Sequence, residues 1–390
     1  MTKEFRVALV GAGYAGQAHA FGYRNAQMAD NLSGLRVVLD TVVDPNVELA
    51  TQVAERYGFE RTAADIDEVL KNPAIDAVSV ALPNFVYREV LAKALRAGKH
   101  VFAEKPLGTS AAEAKELAEI AAESDRVAAV GFSFRRVPAV AAARQAVQQG
   151  KIGAAYFARG FYYADYALDP KSPRTWRFSQ EKSGGGALID IGAHVIDLMV
   201  HLLGPVKAVL SSSLTTLISE RPLPAGGIGH QAKASETETA PVTNDDVALL
   251  TLEFESGAVA SVQLSRVSAG TPNQLGFEVF GSDGHVSFDS TKSDEYSIFE
   301  LGKSAAGADG PQRVISGPDM PYYADVSPMR ARGTGTGYGE AFIAEIQEFI
   351  AAAVNEEAIE TTFAATVHPM LVIQAALDSA QSQKPVEIRA

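Results

Sequence analysis

The sequence predicts an α/β domain with a parallel sheet, followed by an α+β domain with a large open, mostly antiparallel sheet. Short apolar runs alternate with helical segments over residues 1–133, as in βαβ units. A glycine-punctuated turn at residues 11–16 follows the first apolar run. Beyond about residue 150, apolar–polar alternation with turns replaces this pattern, which is typical of antiparallel sheets.

The first predicted domain, residues 1–133, contains runs apolar enough to be buried on both faces of a parallel sheet. Pro45 ends the second run, because proline cannot extend a central strand, and Gly98 ends a helix. The predicted strands are 6–10, 35–43, 75–82, 100–103 and 127–134. The predicted helices begin after Gly16 and otherwise cover 47–57, 89–97 and 110–123.

The second predicted domain covers residues 134–390. Its clearest strands form two hairpins, 248–254 with 260–264 and 277–280 with 285–288. The segments 219–246 and 302–338 lack periodicity and are predicted to be loops, and two helices follow at 339–354 and 369–381. A sheet with one uncovered apolar face favours association, so we expect a homodimer or homotetramer formed through it.

Composition excludes several functions. The chain of 390 residues carries 47 acidic and 34 basic residues, a net charge of −13 that disfavours binding to nucleic acid. It has no cysteine, which excludes thiolate nucleophiles, disulfides and Cys-ligated metals and agrees with a reducing cytoplasm. It has neither a run of about eighteen apolar residues nor a secretory signal, so we expect no membrane span and no export.

Gly11, Gly13 and Gly16 form the spacing Gly-x-Gly-x-x-Gly between a predicted strand and a predicted helix. In that context the first glycine allows a tight turn, the second lets the backbone approach a pyrophosphate, and the third lets helix and strand pack closely. The N–H groups that open the helix then attract phosphate. The pattern predicts a Rossmann dinucleotide site, and the alternative is a purely structural strand–helix turn.

The second strand of such a domain ends in an acidic residue that hydrogen-bonds the ribose hydroxyls. Asp44 occupies that end, 28 residues after Gly16, and a polar insertion at residues 30–34 accounts for the extra length. Asp40 is the alternative, although it lies inside the apolar run. A carboxylate in this position repels a 2′-phosphate, so NAD is predicted in preference to NADP.

Lys105 follows the fourth predicted strand, at the carboxyl edge where open α/β sheets bind ligands. Pro106 after it makes a cis peptide bond possible. This position favours a functional lysine beside the cofactor, and the alternative is an ordinary solvated surface charge.

Asp190 and His194 are four residues apart, which predicts one helix face that carries both. Imidazole is suited to removing a proton from an alcohol near neutral pH, and the carboxylate can bind a hydroxyl or orient the histidine. Three glycines at 184–186 would let the chain lie against a flat ligand. The alternatives are a capping aspartate with a structural histidine, or a metal site made with Asp197 and His201.

Together these segments resemble the glucose–fructose oxidoreductase / inositol dehydrogenase (Gfo/Idh/MocA) family over nearly the whole chain. The motifs that carry the resemblance are 11–16, 82–84, 97–106 and 184–197. The resemblance implies a Rossmann domain, NAD as cofactor, no metal, and a C-terminal sheet that packs in dimers and tetramers. Many family members have histidine where this chain has Tyr87, and asparagine where it has Ser133.

The resemblance also implies roles for individual residues. The catalytic residues would be Lys105, Asp190 and His194. The residues implied on the cofactor side are Gly11, Gly13, Tyr14, Ala15, Gly16, Asp44, Asn84, Glu104 and Lys105. The residues implied for substrate binding are Lys105, Tyr163, Trp176, Asp190 and His194. Tyr162, Tyr163 and Trp176 could stack on a sugar face, and the alternative for each of these aromatic residues is core packing.

Within the family, the segments 172–178, 219–224 and 337–340 resemble members that oxidise a pyranose-ring hydroxyl at C3 with NAD. The leading hypothesis is therefore a cytoplasmic, NAD-dependent dehydrogenase of a sugar, an anhydrosugar or a cyclic polyol such as inositol. One alternative is an NAD-dependent glycosidase that oxidises C3 transiently, and net release of NADH would separate the two. Another is a silent NAD-binding sensor, which would be expected to lack the lysine and the histidine.

Overall fold

The computed structural model describes residues 3–226, 233–303 and 309–389. The chain divides into two compact units, each assembled from segments that are distant in sequence. The first unit consists of Met1–Gly108, Ala112–Pro138 and Ser316–Val367. The second unit consists of Thr109–Ala111, Ala139–Ile315 and His368–Ala390.

A parallel sheet forms the centre of the first unit. Its strands are β1 (Lys3–Val10), β2 (Leu35–Val43), β3 (Arg61–Ala63), β4 (Ala77–Val80), β5 (His100–Glu104) and β6 (Ala128–Gly131). They lie in the order β3-β2-β1-β4-β5-β6, the order of the Rossmann fold. The order reverses between β1 and β4, and sheets of this kind bind ligands at the carboxyl end of such a switch point. The predicted Rossmann class is confirmed.

Five helices connect these strands. They are α1 (Tyr14–Asn25), α2 (Val47–Tyr57), α3 (Ile66–Leu70), α4 (Tyr87–Arg96) and α5 (Ala111–Ala122). The ends of α2 follow from local chemistry, since the Asn46 side chain accepts the Leu49 N–H and Gly58 ends the helix with φ +83°. The bounds of β2 and α2 match the prediction, whereas β3 and α3 are too short for the sequence pattern to indicate.

The other helices and strands follow residue 137. The helices are α6 (Pro138–Gln148), α7 (Gln180–Ser183), α8 (Ala187–Asp190), α9 (Gly192–Leu203), α10 (Tyr323–Val326), α11 (Tyr338–Asn355) and α12 (Phe363–Ser382). The strands are β7 (Ala155–Ala164), β8 (Val206–Thr215), β9 (Glu220–Gly226), β10 (Lys233–Pro241), β11 (Val247–Phe254), β12 (Val259–Ser265), β13 (Asn273–Gly281), β14 (Gly284–Asp289), β15 (Glu295–Glu300), β16 (Gln312–Ile315) and β17 (Val386–Glu387).

A large sheet dominates the second unit, with the strand order β16-β15-β14-β13-β7-β12-β11-β8-β17. The pairing of β7 with β12 is parallel, and the other pairings are antiparallel. This confirms the predicted large, mostly antiparallel sheet. Both predicted hairpins, β11 with β12 and β13 with β14, are present.

The two faces of the large sheet differ. Gly160 on β7 lies against α9, because a Cβ there would be 2.6 Å from Val195. On the other face the apolar side chains remain partly open, with Phe157 45%, Leu249 50% and Phe280 39% exposed. The alternation along each strand therefore separates a helix-covered face from a partly exposed one.

The helix α11 belongs to the first unit, although it comes from the last part of the chain. Its residues Ile346 and Phe349 are buried in one hydrophobic cluster with side chains of β1 and β2. A Cβ on Gly22 of α1 would lie 2.8 Å from the Phe342 carbonyl oxygen, so the absence of a side chain lets the helices approach. The predicted division after residue 133 thus does not coincide with the compact units, because Ser316–Val367 packs with the first.

The prediction of a loop over 219–246 is wrong for the described residues. The strands β9 and β10 pair antiparallel there, with Ala240 opposite Arg221. Arg174 supports this hairpin, since its N–H donates to the Pro222 carbonyl oxygen at 2.7 Å and its Nε to that of Pro241 at 2.6 Å. The hairpin is held by main-chain contacts rather than by an apolar face, so no alternation marks it in the sequence.

The last long helix, α12, begins at Phe363 rather than at Pro369, which lies in its second turn. In the other predicted loop, 302–338, the described residues contain the short elements β16 and α10. Among the described residues, no single helix has the length and composition of a membrane span. The segments Gln180–Asp190 and Gly192–Leu203, which are bent by 50° relative to each other, have that length and composition only when they are taken together.

Candidate active site

The glycine turn between β1 and α1 has the geometry that dinucleotide binding requires. Gly11 has φ +101°, and a Cβ there would lie 2.4 Å from the Ala81 carbonyl oxygen. A Cβ on Gly16 would lie 1.9 Å from the Gly11 carbonyl oxygen, so helix and strand are too close for a side chain. Around Gly13, in contrast, no described atom would lie within 4 Å of a Cβ. The backbone is open to a pyrophosphate at that point, and the turn fits NAD.

The first turn of α1 offers backbone N–H groups with no competing carboxylate. Tyr14, Ala15 and Gly16 form this turn, which contains no acidic residue. The partial positive charge of the helix N-terminus therefore remains available to a phosphate. The Tyr14 ring is 81% exposed beside the turn.

Asp44 has the position expected of a ribose ligand. Its Oδ2 accepts the Ala12 N–H at 2.9 Å, and its Oδ1 accepts the Asn46 N–H at 2.9 Å. The carboxylate thus lies against the glycine turn and is only partly buried. Each carboxylate oxygen has a further lone pair that a ribose hydroxyl can use.

Asp40, the alternative, is a structural residue of β2. It is 0% exposed, and it accepts hydrogen bonds from Thr41 at 2.6 Å, from Arg6 Nε at 2.8 Å and from Arg61. Burial opposes its ionisation, but these hydrogen bonds outweigh burial and lower the pKa of Asp40. A carboxylate enclosed in this way is not accessible to a ribose.

Glu104 and Lys105 lie at the carboxyl end of β5, and the Lys105–Pro106 peptide bond is cis. The Glu104 carboxylate accepts the backbone N–H of Lys105 at 3.0 Å. Asn84, which follows β4, is buried, and its Nδ2 donates to the Gly108 carbonyl oxygen at 3.4 Å. The structure therefore brings these three predicted residues to neighbouring strand ends of the first unit.

A buried histidine that the sequence analysis missed supports this strand end. The Nε2 atom of His19 lies 3.3 Å from Glu104 Oε1, and its Nδ1 lies 2.9 Å from Ser79 Oγ. Donation from Nε2 satisfies the Glu104 contact, and the Ser79 hydroxyl, which can donate or accept, satisfies the contact at Nδ1. The spacing Gly16-x-x-His19 was the available signal, because it places His19 on the face of α1 that packs on the sheet.

A second carboxyl group, Glu345 on α11, is buried in the same region. A Cβ on Gly131 would lie 3.4 Å from Glu345 Oε1, and Gly131 is paired with Glu104 in the sheet register. Burial, and then the charge of Glu104, raise the pKa of Glu345 well above its ordinary value. Both effects favour the protonated acid at this position.

Asp190 and His194 do not share one continuous helix, which corrects the prediction. Asp190 ends α8 and His194 lies in the first turn of α9, with a bend of 50° at the break. Gly192 lies at the break, where a Cβ would be 2.5 Å from Leu264 Cδ1. The backbone at this glycine therefore lies directly against a side chain of β12.

Asp190 is the centre of a polar cluster in the second unit. The Tyr166 hydroxyl donates to its Oδ2 at 2.7 Å, and Arg177 Nε lies 4.0 Å from the same oxygen. Burial, and then the charge of Asp190, raise the pKa of Tyr166 well above its ordinary value, so the hydroxyl remains a donor. The Asp190 side chain is 28% exposed, which leaves part of the carboxylate accessible.

Trp176 lies beside this cluster. The Arg177 guanidinium lies over its ring at 4.5 Å from the centroid, within cation–π distance. A continuous chain of side-chain contacts therefore runs from Trp176 through Arg177 and Asp190 to Tyr166. Neither Tyr166 nor Arg177 was assigned a role from the sequence, although Arg177 lies in the segment 172–178 that carries part of the resemblance.

Tyr162 and Tyr163 lie on opposite faces of β7. The Tyr162 ring centroid is 6.1 Å from that of His194. Successive strand residues point to opposite faces, and the Tyr163 hydroxyl donates to Gln263 Oε1 at 2.6 Å on the other side of the sheet. The structure thus brings Tyr162, but not Tyr163, together with the helix that carries His194.

The glycines before α8 lie against the protein's own backbone. A Cβ on Gly184 would lie 2.1 Å from the Thr109 carbonyl oxygen, and one on Gly186 would lie 1.8 Å from that of Asp245. The expectation that a flat ligand occupies this space is wrong for these two positions, because protein atoms already fill it.

In the ranges that the structure describes, no group of three or more His, Asp or Glu side chains could hold a metal ion. Asp197 is buried on α9, and the His201 carbonyl oxygen accepts a hydrogen bond from Arg144 at 3.2 Å. The metal alternative receives no support from this part of the chain.

The two departures from the family pattern are both interior residues of the first unit. Tyr87 is 1% exposed and its hydroxyl lies 3.5 Å from the Val80 carbonyl oxygen, while Ser133 is 2% exposed. They lie just after β4 and β6, at the end of the sheet that carries Asn84 and Lys105.

The strand order, the open glycine turn and the placement of Asp44 define an NAD-binding domain. Residues 5–132 match the family described as "Oxidoreductase family, NAD-binding Rossmann fold", and residues 140–287 match the "GFO/IDH/MocA C-terminal domain". The protein is thus an NAD-dependent oxidoreductase. It belongs to the Gfo/Idh/MocA family, which confirms the resemblance found in the sequence.

Similar proteins act on sugars and inositols. Levoglucosan dehydrogenase of Pseudarthrobacter phenanthrenivorans is 34% identical over 388 residues, which cover 99% of this chain and 98% of the relative. The scyllo-inositol 2-dehydrogenase (NAD(+)) of Bacillus subtilis is 30% identical over 286 residues, which cover 73% of this chain and 74% of the relative. The solved structure of a levoglucosan dehydrogenase with NADH and levoglucosan superposes with a TM-score of 0.91 at 33% identity and covers 100% of both chains.

Proposed function

We propose that this protein oxidises a ring hydroxyl, at C3, of a sugar, an anhydrosugar or a cyclic polyol with NAD as the acceptor. Relatives that match most of the chain are named for levoglucosan and scyllo-inositol, which are rigid polyhydroxylated rings. The relative named for levoglucosan matches 99% of the chain, so anhydrosugars and pyranoses come first among the candidates. The cytoplasm, which supplies NAD, is the proposed location.

The observation that carries this proposal is the polar cluster around Asp190. The carboxylate, the Tyr166 hydroxyl and the Arg177 guanidinium place acceptors and donors side by side, as neighbouring ring hydroxyls require. Trp176 adds an aromatic surface that suits the apolar face of a pyranose. The combination favours a ring with several hydroxyls over an apolar alcohol.

Oxidation of a hydroxyl removes a proton from the oxygen and a hydride from the carbon. We assign His194 as the base that takes the proton, and Lys105 as the cation that hydrogen-bonds the same oxygen and stabilises its developing negative charge. Asp190 is assigned to the neighbouring hydroxyl, where it fixes the pose of the ring. NAD, when bound, accepts the hydride.

Residues of the first unit are assigned to NAD. The N–H groups of the 11–16 turn, including those of Tyr14 and Ala15, take the pyrophosphate, and Asp44 takes the ribose hydroxyls. Asn84 and the Glu104–Lys105 strand end are assigned to the nicotinamide side, because they lie at neighbouring strand ends.

A spectrophotometric screen of levoglucosan, pyranoses and inositols with NAD tests the proposal. Net formation of NADH with at least one of them is expected, and the 3-deoxy analogue of that substrate should bind without forming NADH. Cleavage of a glycoside with no net NADH would instead identify an NAD-dependent glycosidase. Binding of NADH and sugar without any turnover would identify a sensor, and either outcome would overturn the proposal.

We further propose that the chain forms a homodimer or homotetramer through the partly exposed face of the large sheet. Phe157 and Phe280 stack there with ring centroids 6.0 Å apart, and His285 stacks on Phe280 at 4.7 Å. Leu249 adds an aliphatic side chain that is 50% exposed. Aromatic and aliphatic surface of this kind is typical of an interface.

A further inference from the structure

Three consecutive polar residues, Asn244, Asp245 and Asp246, are buried between β10 and β11, with 4%, 4% and 0% exposure. We call them the buried tripeptide. Charged residues are rarely buried without a dedicated set of partners. In the sequence, these residues belong to the predicted loop 219–246 and have no predicted role.

Asp245 holds the start of the helix that ends at Asp190. Its Oδ1 accepts the Gly186 N–H and its Oδ2 the Leu188 N–H, each at 2.8 Å. Its backbone carbonyl oxygen accepts the Ala187 N–H at 2.9 Å. Three consecutive N–H groups at a helix start, which have no partner inside the helix, are thus bound by one residue. The path of the chain into α8 follows from these bonds.

Asn244 holds the segment that precedes α8. Its Nδ2 lies 2.8 Å from the Arg177 carbonyl oxygen, 2.9 Å from Ser183 Oγ and 2.9 Å from the Gly185 carbonyl oxygen. Arg177 is the residue whose guanidinium flanks Asp190. One side-chain amide therefore connects the main chain of Arg177 to the glycine segment that leads to Asp190.

Arg266 and Asp246 anchor the buried tripeptide to the sheet. Arg266 follows β12, and its Nε pairs with Asp246 Oδ1 at 2.8 Å with both side chains almost fully buried. The same guanidinium donates to Asn244 Oδ1 at 2.9 Å and to the Arg177 carbonyl oxygen at 3.3 Å. Loss of any one partner would leave buried polar groups without a hydrogen bond, which is costly. The network therefore tolerates little displacement of its members.

We propose that Asn244 and Asp245 are positioning residues for the oxidation of the sugar: they set where Asp190 and Arg177 lie relative to each other. The assignment of a sugar rests on the proposed function above, whereas the positioning is a property of the fold of the second unit. Neither residue touches the ring. A displacement of about 1 Å in a group that orients a substrate can cost about 10²-fold in rate, so changes here reach the chemistry through Asp190 and Arg177.

Two variants test this positioning. Asp245→Asn replaces one accepting oxygen by a donor that faces a backbone N–H, and Asn244→Ala removes the amide altogether. Measured per NADH-binding site, both should raise the KM of the substrate at least about tenfold and lower kcat, while the Kd of NADH stays within about twofold. Ser212→Ala, which removes a buried hydroxyl on β8 that makes no hydrogen bond to the buried tripeptide, is the matched control and should change none of these values.

A double-mutant cycle separates positioning from structural support. If Asn244 acts through Arg177, the effects of Asn244→Ala and Arg177→Ala on KM should be non-additive by at least about threefold. Purely structural support lowers the folded fraction but leaves KM and kcat per NADH-binding site unchanged. Additive effects, or unchanged constants in the folded variants, would overturn the proposal.

Hydrogen–deuterium exchange provides a readout that needs no substrate. The amides of 184–190 should exchange faster in both variants than in the unaltered protein, and those of the Ser212→Ala control should not. If no sugar is oxidised by the unaltered protein, the proposed function fails, and unchanged exchange in this segment would separately refute the positioning. If Asp245→Asn does not fold, Asn244→Ala decides the outcome.

Discussion

Replacement of Asp44 by asparagine or serine should weaken the discrimination between NADH and NADPH. The carboxylate is oriented by two backbone N–H groups, those of Ala12 and Asn46, each at 2.9 Å. Its remaining lone pairs can accept the ribose hydroxyls of NADH. The same negative charge would face the 2′-phosphate of NADPH and repel it.

The expected magnitude follows from Coulomb's law. Two unit charges about 4 Å apart interact by about 1 kcal/mol in bulk water and by about 4 kcal/mol at the effective dielectric constant near a protein surface. Repulsion between Asp44 and a 2′-phosphate with a charge of about −2 therefore weakens NADPH binding by about 2 kcal/mol even at the dielectric constant of bulk water. This energy corresponds to about 30-fold in affinity. NADH would in addition lose a ribose hydrogen bond in the variant, at about 0.5–1.5 kcal/mol. The ratio of the two Kd values should thus narrow at least about 30-fold.

The assay is a fluorescence titration of each variant with NADH and NADPH, which requires no substrate. Asp44→Asn keeps one accepting oxygen, so its cost in the free energy of unfolding should stay near that of one hydrogen bond, about 1 kcal/mol. Asp40→Asn is the matched control, because Asp40 lies on the same strand and is bound by Arg6 and Arg61. It should lower stability and leave the NADH/NADPH ratio unchanged. Equal binding of both nucleotides by the unaltered protein, or an unchanged ratio in Asp44→Asn, would refute the reasoning.

Lys105→Ala and His194→Ala should each lower turnover at least about 10²-fold in steady-state kinetics with little change in NADH binding, and near-normal turnover would remove that residue from the chemistry. Phe157→Asp should dissociate the oligomer in light scattering, because it places a charge in the aromatic patch, and a monomeric unaltered protein would contradict the interface itself. Burial raises the pKa of Glu345 well above 4.5. The protonated acid therefore contributes its full stability below about pH 4.5, and the free energy of unfolding falls by up to about 1.4 kcal/mol per pH unit as the pH rises above that value. Glu345→Gln should abolish that loss in urea unfolding between about pH 5 and pH 8, and a difference from the unaltered protein that does not vary with pH would disprove it.

The sequence predicted those elements whose ends are marked by local chemistry. Pro45 ends β2 and Asn46 caps α2, and the predicted bounds of both elements agree with the structure. The residues assigned to the nucleotide lie on such elements, because phosphate binding uses backbone N–H groups at a fixed glycine spacing. Asp44 could be placed at the end of β2 for the same reason.

Features that depend on distant contacts could not be predicted in this way. The hairpin of β9 and β10 buries few side chains and is supported through Arg174, so it shows no alternation. At the break between α8 and α9, Gly192 lies against Leu264, which belongs to a strand more than 70 residues later. The packing of α11 on the first unit likewise pairs Gly22 with a helix more than 300 residues later.

We expect substrate choice in this protein to depend on residues that its glycine-rich motif does not contain. Asp190 belongs to the motif, but its accessible geometry is set by Tyr166 and Arg177, and these in turn are connected to Asn244 of the buried tripeptide. Tyr166, Arg177 and Asn244 can be substituted while Asp190 and His194 are kept. Each of the three contacts the motif only through a side chain, at the Asp190 carboxylate or at one carbonyl oxygen. Relatives named for levoglucosan and for scyllo-inositol are both similar to this chain over most of its length. We therefore expect the motif to indicate the class of reaction, and the segments packed around it to decide which ring is bound for that reaction.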